Sequence, residues 1–319
     1  MKLRKLLTVF LCGTFAVAMQ AAEATADTLA VHFATKTEAE KLIVAPDDFS
    51  RHLNQFDYDL RLRKPGSTPK EWLDLVKRET CEWTPEEKQR IIQTFRTLRN
   101  NAKEMGLRLP CPEKVIMVKT TMREELDAGG YTRKNWIALA DNVMKRATDI
   151  QLARLVSHEM FHILSRHSLD FKKKVYATID FKLLDCAINY PKDLMEKRIS
   201  NPDISRRDSY IELVIAGKKV HCAEIIYTNR PYTEGSIMDY LQVGFVPLDA
   251  HFRPVIKDGK TVIYPLEKVM KQFTKKVGVN TNYNIDPEEI SADHFSFLMT
   301  KRQGLPNPEI LEQIKKCLQ

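Results

Sequence analysis

The stretch that most constrains this chain is residues 155–165, LVSHEMFHILS. His158 and His162 are four positions apart. On an α-helix that spacing puts both imidazoles on one face, one turn above the other, where they reach a single ion. Glu159, next to the first histidine, can point at the open coordination position of that ion and take a proton from a bound water. The flanks Leu155, Val156, Met160, Phe161, Ile163 and Leu164 carry no charge, as a buried helix requires. The stretch therefore reads as a zinc site with His158 and His162 as ligands and Glu159 as base. The competing reading is an amphipathic helix whose two histidines are partly exposed and hydrogen-bonded.

A chain of 319 residues has room for one large domain or two ordinary ones. Its formal charge of +8 falls by three if Lys2, Arg4 and Lys5 leave with a signal peptide. Acidic residues are mixed through the basic stretches, so a solvated surface is expected and nucleic acid is not a partner. Residues 1–5 are basic, 6–17 apolar, and Ala16, Ala18, Ala21 and Ala22 offer small residues for cleavage. This pattern predicts a signal peptide over 1–22 and an exported protein, periplasmic or secreted. No later run is apolar enough to span a bilayer, so no transmembrane segment is expected in the mature chain. Cys12-Gly13 resembles a bacterial lipidation site, but bulky Leu11 precedes it, and no lipid anchor is expected. Five cysteines follow (81, 111, 186, 222 and 317). The odd count leaves at least one thiol unpaired, and no CxxC spacing suggests cysteine ligation.

In chain order, residues 37–45 and 48–60 have helical apolar spacing, and 64–68 is a turn. Thr68-Pro69 starts a further helix. Thr84, Pro85 and Glu87 form a capping box that begins a helix reaching about residue 104. Beyond 109–112 the pattern changes: 115–119 reads as a strand, 127–130 as a turn, 136–140 as a second strand, and 147–166 as the motif helix. Residues 135–140 are the candidate edge strand beside a cleft, where an extended substrate adds by β-pairing; the alternative is an internal strand. A helix is expected over 171–185. Hairpins are expected at 211–227, turning at Gly217-Lys218, and at 252–264, turning at Asp258-Gly259. The expected architecture is α+β, with a helical region over 23–108 and a catalytic domain over 109–319.

Catalytic zinc usually has three protein ligands. A third histidine in the metzincin pattern would need Gly and His at positions that hold Ser165 and Ser168, and His167 is one residue early, about 100° round the helix. The better candidate is a helix opening at Asp286-Pro287. There Glu289 and Asp293 share a face, so that Glu289 would bind the metal and Asp293 would accept the outer N–H of a ligating histidine. The alternative is that Glu289 closes a capping box with Asp286 while Asp293 is solvated.

The order of His158-Glu159-Met160-Phe161-His162 and, far downstream, Glu289-Ile290-Ser291-Ala292-Asp293 resembles the gluzincin group of zinc metallopeptidases. Residues 278–299 also resemble uncharacterised secreted bacterial proteins bearing both motifs. The resemblance covers roughly residues 110–300 and implies a zincin-like fold. It implies His158, His162 and Glu289 as zinc ligands, Glu159 as general base and Asp293 as the partner of a ligating histidine. It also implies hydrolysis of peptide or protein substrates. Such enzymes often add a tyrosine or histidine donor to the oxyanion, and Tyr232 or Tyr240 is the candidate. The other readings are a non-catalytic zinc-holding envelope or binding protein and a zinc hydrolase acting on something other than peptides.

Overall fold

The computed structural model describes residues 29–319. The signal peptide and Cys12 lie outside them. The described chain is mixed α and β, built on two five-stranded sheets.

The first part runs β1 (Ala30–Phe33), α1 (Lys36–Val44), α2 (Asp48–Arg51), α3 (Gln55–Leu62), α4 (Pro69–Arg78), β2 (Thr80–Cys81) and α5 (Pro85–Glu104). All five of these helices open on capping boxes, at Thr35, Asp47, Asn54, Thr68 and Thr84, each of which satisfies orphan N–H groups of the first turn. Then come β3 (Lys114–Thr120), β4 (Gly130–Arg133), β5 (Trp136–Ala140), α6 (Asp141–Arg146) and α7 (Asp149–His167). The expected 48–60 helix is two, α2 and α3, and α6 and α7 are separated at Ala147-Thr148, where Thr148 caps α7.

The first sheet has the order β1-β3-β5-β4, with β2 also on β3. β5 lies between β3 and β4, so the candidate edge at 135–140 is an internal strand and β4 is the edge. Sequence patterning missed β4 because Gly129-Gly130 reads as a turn. Within residues 29–108, β1 pairs in parallel with β3, and α5 shares one hydrophobic core with α7.

The remainder is α8 (Leu169–Ala177), β6 (Phe181–Leu183), α9 (Lys192–Met195), β7 (Ser209–Ile215), β8 (Lys218–Tyr227), β9 (Gln242–Pro247), β10 (Ile256–Lys257), β11 (Lys260–Thr261), β12 (Tyr264–Pro265), α10 (Met270–Val277), α11 (Pro287–Met299) and α12 (Pro308–Leu318). The helix expected over 171–185 stops at Ala177, and the chain re-enters as β6, an edge of the antiparallel sheet β12-β9-β8-β7-β6. The hairpin at 211–227 forms as β7 and β8, and Asp258-Gly259 turns a two-rung ladder, β10 with β11. β9 was not expected.

α11 packs along α7, and both are buried in the main core. Phe161, Phe171 and Phe295 meet there at ring-centroid distances of 5.4–6.0 Å. Each such buried ring contributes about 1.5–3 kcal/mol, which fixes the two helices side by side and sets the faces carrying the polar motifs against each other. All five cysteines of the described residues are free. Among the described residues no helix is long and apolar enough to cross a membrane.

Candidate metal centre

His158, Glu159 and His162 project from α7, and Glu288, Glu289 and Asp293 from the facing side of α11. His158 Nε2 lies 3.1 Å from Glu289 Oε2, and His162 Nε2 lies 3.7 Å from the same oxygen. Donors bound at 2.0–2.2 Å to a tetrahedral ion stand about 3.4 Å apart. The two distances to Glu289 Oε2 bracket that spacing.

The outer nitrogens are held as a ligating pair would need. His158 Nδ1 is 3.0 Å from Asp293 Oδ1, and His162 Nδ1 is 3.2 Å from Glu288 Oε1. With Nδ1–H donated to a carboxylate, each ring keeps Nε2 as its lone-pair nitrogen. Both carboxylates are themselves anchored. Thr281 donates to Asp293, Ser165 donates to Glu288, and the Tyr176 hydroxyl donates to Glu288 Oε2 at 2.5 Å. Glu289 does not close a capping box: Asp286 accepts from the Glu288 N–H, and the Glu289 side chain turns inward.

Two buried polar atoms face this cluster without a partner, His162 Nε2 and Glu159 Oε2. An unsatisfied buried polar atom costs roughly 1–3 kcal/mol, so both are explained by a ligand they would contact. The donor set, two imidazoles and a carboxylate, suits zinc. His158, His162 and Glu289 offer ligand atoms all within 4.8 Å of one another.

The electrostatics follow from burial. Burial opposes charge on His158, but its hydrogen bonds to Asp293 and Glu289 outweigh it and hold the imidazole well above its ordinary range. Burial likewise opposes charge on His162, and the carboxylates of Asp203 and Glu289 hold it above 6.5. Burial pushes the Glu159 carboxyl up to about 8, with Asp203 adding to the shift. Glu288 goes the other way, to about 2, because the hydrogen bond to His162 and the charge of Lys172 overcome its burial.

Sequence reasoning missed four contributors. Glu288 is the counterpart of Asp293, and its only signal was adjacency to Glu289. Asn201 Nδ2 donates to Glu289 Oε1 at 2.5 Å, which leaves Oε2 to face the histidines. Asp203 sets a carboxylate within 4.8 Å of His162 and Glu159 donor atoms. Gly130 of β4 lies against Glu159, where a Cβ would stand 3.0 Å from Oε1. The chosen tyrosines are elsewhere: Tyr232 and Tyr240 pack with Phe56 and Ile226, and their hydroxyls bond to residues 233–235 of their own loop. Tyr283 is the tyrosine beside the centre, its ring centroid 6.3 Å from that of His158. His167 is exposed at the end of α7.

No protein-family model matches the chain, and no curated protein or solved structure gives a significant match.

Proposed function

We propose that this chain is a zinc-dependent peptidase of gluzincin type on a zincin-like α+β fold, with His158, His162 and Glu289 as zinc ligands. The observation that carries the reading is the convergence of four donor atoms, those of His162, Glu159 and Glu289 on buried residues and that of His158 on a partly buried one. His158 Nε2, His162 Nε2 and Glu289 Oε2 stand at coordination spacing, and the unpartnered Glu159 Oε2 lies beside them. A scaffold that only held an ion would have no use for a buried, unpaired carboxylate next to its ligands.

Bound zinc would polarise a peptide carbonyl and acidify a water. Glu159, unpartnered at Oε2, takes the proton from the attacking water and delivers it to the leaving amine. Asp293 and Glu288 hold the imidazoles in the tautomer that leaves Nε2 free. Tyr283, half exposed beside His158, replaces Tyr232 and Tyr240 as candidate donor to the tetrahedral oxygen. The signal-like residues 1–22 support an exported enzyme acting on peptides outside the cytoplasm.

The test is digestion of a peptide pool by the zinc-loaded protein, with and without chelator, alongside Glu159→Gln. Chelator-sensitive cleavage, lost in the variant while zinc is retained, is expected. Cleavage by Glu159→Gln at the wild-type rate would remove the proposed base.

A further inference from the structure

The outer edge of β4 is the natural rail for an extended peptide entering this site. In the β4–β5 ladder Ala140 N–H donates to Gly129 O, and Tyr131 faces Ala138. By antiparallel alternation Gly130 and Thr132 turn their N–H and C=O groups away from β5. Gly130, beside Glu159, is left to a substrate. Thr132 is not: its N–H donates to Asp203 Oδ1 at 2.6 Å, its hydroxyl to the same oxygen at 2.7 Å, and Arg166 donates to its carbonyl at 3.4 Å. Arg166 also caps Lys134 O at 3.1 Å. The rail therefore ends about two residues, or ~7 Å, beyond the catalytic carboxylate, and it ends at a carboxylate.

That end has a sign. Asp203 Oδ2 accepts no hydrogen bond among the described residues, while Arg166, the cation beside it, has its terminal nitrogens on Thr132, Lys134 and the Asp203 carbonyl. An α-ammonium arriving there would find Asp203 Oδ2 as a free acceptor. A peptide added antiparallel to β4 runs its N-terminal side toward Thr132.

Resting on the peptidase reading above, we infer that the enzyme removes residues from free N-termini, with Asp203 as the group that binds the substrate α-ammonium. Asn201, two residues earlier, ties the same turn to the ligand Glu289, and its amide oxygen accepts from Asp203 N–H at 2.9 Å. The amine-binding carboxylate is thereby held in register with the metal.

The experiment gives the zinc-loaded protein a random-sequence decapeptide pool with free N-termini and the same pool N-acetylated, with products located by mass spectrometry. The free pool should be cut at least about tenfold faster, the scale of one close charge pair, and within the first one or two residues. In Asp203→Asn, which keeps an acceptor for Thr132, the ratio of free-pool to acetylated-pool cutting, measured on one zinc-loaded preparation of the variant, should collapse toward one. Equal cutting of both pools, or internal cleavage sites, overturns the inference and leaves the peptidase reading standing. No cutting of either pool by the zinc-loaded protein overturns both. The wild-type comparison alone decides the matter if the variant does not fold.

Discussion

Two of the buried charged clusters among the described residues, one around Arg61 and one around His158 and His162, are built on opposite terms. Around Arg61 the guanidinium and the two carboxylates that meet it are all answered. Its guanidinium donates to Glu125 at 2.8 and 3.0 Å, to the Ser200 carbonyl at 2.8 Å and to Asp57 at 3.4 Å, while Asp57 accepts from Ser200 N–H and hydroxyl at 2.8 and 2.6 Å. Around His158 and His162 the outer ring atoms are equally well held, but the inner side keeps His162 Nε2 and Glu159 Oε2 without partners. A saturated cluster fixes structure, here α3 against the 198–201 segment, and has nothing left with which to bind. A cluster saturated on one side only keeps atoms with which a ligand can be bound. Glu224 and His294 also hold unpartnered buried atoms, yet neither belongs to a group of converging donors.

The difference can be broken from either side. The largest expected effect is Glu159→Gln, which should lower hydrolysis about 10²–10⁴-fold with zinc content unchanged by elemental analysis. Next, Arg61→Ala strips the saturated cluster of its cation. It should lower unfolding free energy by about 3–5 kcal/mol in urea titrations, with zinc stoichiometry of the folded fraction unchanged. Asp293→Asn and Glu288→Gln remove the charges that aim the rings. Each should weaken zinc about 10–100-fold in competition titrations, and equal losses would make α11 a symmetrical support for both histidines.

A subtler effect is pH dependence of the zinc-free protein. Both histidines have their affinity for the proton raised in the folded state. Their contribution to stability is therefore fully present below about 6.5, the unfolded value, and is lost as pH rises through the higher folded values. Zinc competes for the same nitrogens, so its affinity should rise over that window while the stability of the zinc-free protein falls. Thermal unfolding of both forms from pH 6 to 9 checks the crossing trends.

The sequence disclosed the parts of this site that lie on helices with strong local signals. Thr148, Asp286 and Pro287 mark where α7 and α11 begin, and the spacing of four between His158 and His162, and between Glu289 and Asp293, survives any error in the boundaries. Asn201 and Asp203 were invisible because they sit in an irregular segment with no periodicity, brought to the centre only by the path of the chain across β4. The edge strand was misplaced by one position in the sheet because a five-residue apolar run is equally good as an internal strand, and β5 is one. Tyr232 and Tyr240 failed for a simple physical reason: a loop between motifs can satisfy its own hydroxyls, and this one does.

The central claim is that His158, His162 and Glu289 share one zinc ion. Anomalous scattering at the zinc edge from crystals grown with stoichiometric zinc tests it most directly. One peak is expected within 2.0–2.2 Å of His158 Nε2, His162 Nε2 and Glu289 Oε2, with Glu159 outside bonding distance. A peak ligated instead by Glu159 and Asp203, or no peak between α7 and α11, would contradict it.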